Sequence, residues 1–402
     1  MTAAHAESME LEVDGPPSRA AALASRGLEA AWRAGLLPRP ILDPLAFEAA
    51  ALGKRARDSF GPVQEWRTPY RLLVQSLREE ADLNPLGLAM AHGQVVGALK
   101  ARIRAQELWQ QHPEILTRPI PAPVVILGPM RSGTTRLQRL LACDDRFAHT
   151  RLFESLHPVP TRGRVLKTCA SLAALRLFNP AIPAIHPMRA RQPDEEFGLF
   201  SLSFGSAQFE AQWRVPSFAA WWEAADTGWL YREFRALLQT ISWARGAPVD
   251  RPWLLKAPQF LQDLPAFLDA FPDARLICLD RDLERVVGSS ASLVWHQMRI
   301  QSDTTDRAWV GREWLRKTRL RRERALAARR ARPDVPQIEV QCEAMDADWE
   351  SEVTRIYDFL GKPLDDRLRR RMAGYVAGAR GHEGHRYRLE QFGLSREAVL
   401  SG

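Results

Sequence analysis

This chain of 402 residues has no apolar run near the 18 residues that a membrane-crossing helix requires. Its opening residues, MTAAHAESMELEVDG, carry acidic side chains and no apolar core segment, so they do not read as a secretory signal. Cysteine is sparse. Cys143, Cys169, Cys278 and Cys342 lie far apart with no C-x-x-C pair, which offers neither a zinc site nor a disulfide framework. A reducing cytoplasm is therefore the expected location. Internal repeats and low-complexity tracts are absent. Lysine is scarce too: only six of the 56 basic residues are lysines, so arginine is the default cation. A lysine at a special position then needs a reason. The net charge of +8 points only weakly to anionic partners.

What is present suits a globular α/β chain. Hydrophobic content of 46% and charged content of 26% are ordinary, and the length allows one large domain with an appendage. Residues 18 to 118 have helical apolar spacing, as in RAAALASRGLEAAWRAGLL, and no β-rich run or glycine loop. We read residues 1–118 as a helical N-terminal extension. The proline-rich TRPIPAPVV then leads into an α/β domain over residues 119–402. In it, VVIL, PWLLKAP and ARLICLD read as strands, QFLQDLPAFLDAF and the stretch from LERVVGSSASL as helices, and QIEVQCEAM as a further strand. This alternation predicts a central parallel sheet with helices on both faces, a P-loop-like three-layer fold.

Two stretches carry the chemistry. In VVILGPMRSGTTRLQRLL, a buried strand ends at Gly128 and a helix begins six residues later. The spacing Gly128-x4-Gly133 matches a Walker A loop, but Thr134 stands where the lysine is due, and Arg131 places a cation inside the loop. Backbone N–H groups of Ser132 to Thr135 at a helix start would hold one tetrahedral anion, with hydroxyls of Ser132, Thr134 and Thr135 nearby. A plain glycine turn would need none of these extra groups. In ARLICLDRDLERVVGSSASL, Arg281 ends a strand where ligands bind in open α/β sheets, and Ser289 lies eight residues on in the next helix. A surface pair of Arg281 with Asp282 is the alternative reading.

These stretches resemble the motifs of sulfotransferases that use 3′-phosphoadenosine-5′-phosphosulfate (PAPS), in the bacterial branch of about 400 residues. GPMRSGTTRLQRLL is similar to that family's 5′-phosphosulfate loop, FPDARLICLDRDLERVVGSS to its 3′-phosphate motif, and LLKAP to a strand carrying a lysine. The three occur in the family's order over residues 124–290, with softer similarity in HPMRARQPDEEFGLF and HRYRLEQFGLSREAV. The resemblance implies that Arg131, Ser132, Gly133, Thr134 and Thr135 hold the 5′ group, Arg281 and Ser289 the 3′-phosphate, and Lys256 the leaving oxygen. It implies a donor with one 5′ phosphate and no γ-phosphate for a Walker lysine to reach, and chemistry without a metal. The usual Arg-Asp-Pro is here Arg281-Asp282-Leu283, which relaxes a turn without removing a contact.

The base is the departure from the pattern. Related enzymes often follow the lysine with histidine, whereas this chain has Lys256-Ala257-Pro258. The acidic run PDEEF supplies candidates, Glu195 first and Glu196 second, with His186 a third. A helix start after Pro193, with acidic residues merely complementing the dipole, would look the same. Trp213, Trp221, Trp222, Trp229 and Trp243 could wall an acceptor pocket or pack the core. The basic helix around Arg312–Arg332 has no nucleic-acid motif beside it, and a solvated face is expected. Near the C-terminus, Arg386 or Tyr387 could close over the donor. Two other functions fit parts of the sequence: a nucleoside-triphosphate kinase with a degenerate loop and Asp280 on magnesium, or a non-catalytic nucleotide-binding protein. The acceptor's identity and the oligomeric state leave no mark in the sequence.

Overall fold

The structure, a computed structural model, describes residues 18–246, 248–379 and 387–401. Five parallel strands form one sheet: β1 Val124–Leu127, β2 Ala148–His149, β3 Trp253–Leu255, β4 Arg275–Asp280 and β5 Gln337–Gln341, in the order β2-β3-β1-β4-β5. Four helices precede it: α1 Arg19–Arg33, α2 Pro44–Leu52, α3 Arg67–Glu79 and α4 Pro85–Gln111. The helix α5, Thr134–Leu141, follows β1.

Alternation along the strands assigns the two faces. Val125, Leu127, Leu255, Leu276 and Cys278 join one apolar cluster with residues of α2, α3 and α4. Val124, Ile126, Leu254, Ile277 and Leu279 point the other way, onto Leu137, Leu140 and Leu141 of α5 and onto Val353 and Ile356. Helix, sheet, helix is the resulting three-layer section. The chain leaves β1 toward β2 at one edge and leaves β4 toward β5 at the other. The carboxyl ends of β1 and β4 therefore flank the switch point where such sheets bind ligands.

Several local expectations differ from the outcome for identifiable reasons. QIEVQCEAM is strand only to Gln341, and Cys342–Ala347 is helix. QFLQDLPAFLDAF divides into the 3₁₀ turn Pro258–Leu261 and the helix Leu264–Ala270, each with a proline in its first turn. The edge strand β2, two residues long, is too short to carry a period. The tryptophans go to packing. Trp213 and Trp222 are buried in the main core and Trp221 and Trp229 pack against it, while Trp243 lies against the His112 ring.

The basic helix, Arg307–Ala331, keeps a solvated face with Arg312, Arg316 and Arg330 and turns other charges inward. Lys317 is 2% exposed and bonds Glu210 and Glu223 at 2.7 and 2.8 Å. Arg316 bonds Glu223, and Arg322 meets Asp280 at 3.2 Å.

One charge pair ties the N-terminal helices to the rest. Arg102 of α4 donates to both carboxylate oxygens of Glu233 at 2.7 and 2.8 Å and to the Phe60 carbonyl at 3.1 Å. Both side chains are nearly fully buried, and Ser203 donates to the same carboxylate. Removing the arginine alone leaves a buried charge with a single hydroxyl for a partner. Arg102→Ala should therefore cost about 3–5 kcal/mol in denaturant unfolding. A loss under about 1 kcal/mol would mean the pair is no stronger than an exposed one.

Candidate active site

The loop after β1 has a shape that its residues enforce. A Cβ on Gly128 would lie 2.7 Å from Ser132 Oγ and 2.8 Å from the Leu279 carbonyl of β4, so only glycine fits between the strands. Ser132 gives both its N–H and its hydroxyl to the Pro129 carbonyl, at 3.2 and 2.7 Å, and is fully buried. Gly133 takes φ +90° as the N-cap of α5, which aims the first N–H groups of that helix into the loop. Arg131 is left-handed at φ +70°, a conformation costly for a side chain of its size.

What fixes Arg131 is the second motif. Arg281 donates to the Arg131 carbonyl at 2.9 Å, and Arg131 Nε donates to Ser289 Oγ at 2.9 Å. Ser290, unnoticed in the sequence although adjacent to Ser289, donates to the Met130 carbonyl at 3.1 Å. Two guanidinium groups thus stand side by side at the switch point. Burial, and then the Arg281 charge, lower the Arg131 pKa, with Tyr387 and Glu195 opposing. Arg281 Nε is buried with no hydrogen-bond partner among the described residues. Like charges close enough to perturb one another, with a buried donor unanswered, fit an anion. Tyr387 packs on Gly288, where a Cβ would meet its ring at 2.5 Å, and donates to the Arg285 carbonyl at 2.9 Å. Arg386 lies outside the described residues.

Lys256 follows β3 directly, and its side chain is 1% exposed. Its Nζ donates to Thr135 Oγ1 at 2.8 Å and to Glu195 Oε1 at 2.6 Å. The lysine therefore joins the first turn of α5 to the acidic run. Glu195 and Glu196, neighbours in sequence, face different parts of it. Glu196 Oε2 accepts from the Lys256 backbone N–H at 2.9 Å, and its carboxyl is fully buried. Its Oε1 and the buried Thr150 hydroxyl have no hydrogen-bond partner among the described residues. Glu196 thus braces the backbone that presents Lys256, and has no route to an approaching acceptor. The sequence gives no hint of Thr150, which comes from the end of β2.

The chain path through the acidic run is held on every side. The Asp194 N–H donates to the Thr150 carbonyl at 3.1 Å, and Ser155 Oγ donates to the Glu195 carbonyl at 2.7 Å. Asp194 is buried, with Arg139 at 3.6 Å and His186 at 3.7 Å. Burial works to raise its pKa, but His186 and Lys256 outweigh it and hold the carboxyl below its usual range. His186, Asp194 and Glu195 bring ligand atoms within 4.8 Å of one another. Arg139 and Lys256 already supply positive charge to the two carboxylates of that group. His186 follows the short helix Ile182–Ile185, whose two isoleucines pack with Leu293 in an apolar cluster edged by Met130 and Met188. A separate cavity of about 630 Å³ sits at the other end of the strands, between Asp144, Pro252 and Arg371, and no residue of this site lines it.

The sequence pattern of the family described as "Sulfotransferase family" matches residues 123–366, more than half of the chain. The crystal structure of sulfotransferase STF1 from Mycobacterium tuberculosis H37Rv is similar at a TM-score of 0.78 and 28% identity, over 90% of this chain and 98% of that one. That of sulfotransferase STF9 from Mycobacterium avium has a TM-score of 0.78 at 24% identity, covering 89% of this chain and 94% of its own, a likeness of fold. No protein with a curated description matches this chain.

Glu196 gives the site a measurable pH signature. Burial pushes its carboxyl from 4.5 up to about 8, against the pull of Lys256. Folded chains then keep its proton where unfolded chains have lost it. Stability from this group is full below its unfolded pKa and drains as the pH climbs through about 8. Glu196→Gln, which keeps the shape and removes the titration, should flatten the fall in Tm over that window. Parallel Tm curves for the two proteins would mean that Glu196 is ionised in the fold.

Proposed function

The chain belongs to the sulfotransferase family, and we propose that it uses PAPS to place a sulfuryl group on the hydroxyl of a small, partly apolar acceptor, an amine being the less favoured nucleophile. The observation that carries this reading is the contact between the two anion motifs, in which Arg281 and Ser289 grip Arg131 itself. A donor with charge at both its 5′ and 3′ positions needs two such sites sharing a wall, and a triphosphate does not. The unanswered Arg281 Nε and the paired cations are what its phosphates would satisfy.

The residues take roles in this reading. Arg131 and the N–H groups of Gly133, Thr134 and Thr135 hold the 5′ group at the start of α5, and Ser132 shapes the loop around it. Arg281 and Ser289 hold the 3′-phosphate. Lys256, at the same helix start, places its charge where negative charge grows on the departing oxygen, which lowers the barrier more than it tightens binding. Bound there, the donor supplies an activated sulfuryl group whose bond to the phosphate oxygen breaks as the acceptor oxygen bonds to sulfur. Glu195 accepts the acceptor's proton, with His186 beside it. The apolar cluster formed by Ile182 and Ile185 just before His186 accords with a partly apolar alcohol. Lys256, Arg131 and Arg281 supply the counter-charge without a metal. Free thiols at all four cysteines accord with the cytoplasm as the working compartment.

Thermal shifts with 3′-phosphoadenosine 5′-phosphate and with Mg·ATP at matched concentration test the donor. A ligand at about 100 times its Kd stabilises by roughly 2.7 kcal/mol, a shift of a few degrees. The bisphosphate should give that shift and Mg·ATP none, and the reverse would promote a kinase. On an alcohol panel with PAPS, Lys256→Ala should lose about 100-fold or more in kcat. Its affinity for the bisphosphate should change little. Equal loss of turnover and binding would make Lys256 a structural residue.

A further inference from the structure

Among the described residues the ammonium of Lys256 has one carboxylate partner, and that partner is the base of the reading above. A hydroxyl and a carboxylate, Thr135 Oγ1 at 2.8 Å and Glu195 Oε1 at 2.6 Å, satisfy a side chain that is 1% exposed. This chain's other deeply buried lysine makes a telling contrast. Lys317 has three carboxylates, Glu210, Glu223 and Glu313, within 3.3 Å, so no single event can draw its charge elsewhere. Lys256 is held by far less, and it stands at the N-terminus of α5, where a 5′-phosphate would compete for it.

We propose that the Lys256–Glu195 pair is an interlock: while no donor is bound, the lysine occupies the Glu195 oxygen that must accept the acceptor's proton, and a 5′-phosphate on the loop releases it. This rests on the proposed function, since it takes Glu195 as base and the loop as the 5′ site. The release is an exchange of partners. The ammonium leaves Glu195 Oε1 for a phosphate oxygen, keeps Thr135 within reach, and leaves that carboxylate oxygen free to accept a proton. No bond is made or broken covalently, and the lysine keeps its proton. The nearby charges accord with the exchange. Arg139 pairs with Asp194 rather than Glu195, and Arg131 attracts Glu195 without forming an ion pair with it among the described residues, so no second salt bridge holds Glu195 once Lys256 moves. Glu196 fixes the Lys256 backbone and so confines the movement to the side chain.

Two consequences follow. Donor binding must precede productive use of the acceptor, an ordered sequence. The interaction of Lys256 with the phosphate is also offset by the pair it breaks. Removing Glu195 should therefore tighten nucleotide binding even as it abolishes turnover, the opposite of what losing an ordinary binding residue does.

A double-mutant cycle on full-length protein tests this, with Kd for 3′-phosphoadenosine 5′-phosphate measured by calorimetry on wild type, Glu195→Ala, Lys256→Ala and the double variant. Glu195→Ala should bind about tenfold tighter than wild type, and the gain should largely vanish in the Lys256→Ala background. An equal gain in both backgrounds would reduce the effect to simple repulsion between Glu195 and phosphate and would overturn the interlock. Unchanged or weaker binding by Glu195→Ala would overturn it too. Glu195→Gln, closer in shape, should move the same way by less, and it replaces the alanine variant if that fails to fold. If wild type itself does not bind the bisphosphate, the donor assignment falls and the interlock with it. If wild type binds and the cycle shows no coupling, only the interlock falls.

Discussion

A charged ammonium in the interior must be met by partners or it will not stay charged, and in this protein that demand organises the site. Lys256 is out of solvent, so the strand that carries it has to end beside a helix start and a carboxylate at once. Satisfying it fixes β3 relative to α5 through Thr135, and fixes residues 194–196 relative to both. Those residues are pinned in turn by Thr150 and Ser155. The arrangement is a chain of obligations that starts from one buried charge.

The same physics handles the rest of this basic chain. Arg316, Lys317 and Arg322 of the helix Arg307–Ala331 turn toward carboxylates on neighbouring segments, and their charge holds the helix down. Around the β1 loop the solution differs. Arg131 and Arg281 stand together, the backbone of one supports the other, and a buried N–H is left without a partner. Lys317 and Arg102 are met by buried carboxylates, whereas among the described residues no carboxylate forms an ion pair with Arg131 or Arg281. This contrast separates binding chemistry from structural chemistry more sharply than the count of charges does.

Much of this was legible from local pattern. VVIL and ARLICLD are strands because short β-branched and aliphatic runs bounded by glycine or polar residues have few other uses, and both strands formed where expected. The loop was legible because a strand-to-helix turn this tight requires glycine at 128 and 133. Periodicity could not locate β2, nor decide whether the tryptophans faced a pocket or the core, because both depend on partners more than 20 residues away in sequence. Trp213, for instance, donates to Gln301 at 2.7 Å, a contact no window of sequence contains.

The sequence by itself determined that a glycine loop with an internal arginine follows a buried strand, that a second strand ends in arginine with a serine two turns on, and that one rare lysine ends a third. Each is a short-range pattern whose meaning lies in its own backbone. The tertiary structure alone decided which of two adjacent, chemically identical glutamates meets the ammonium and which braces the backbone behind it. That choice depends on the direction of the chain at Pro193, where it is bridged to Arg151, and on the Thr150 carbonyl that receives the next N–H. Glu196, at φ −82° and ψ 10°, sits in the turn that opens the helix Phe197–Ser201, while Glu195 precedes that turn, so the two side chains reach different partners. The path through three residues therefore set the role of each glutamate, and the path was set by a strand edge more than 40 residues upstream.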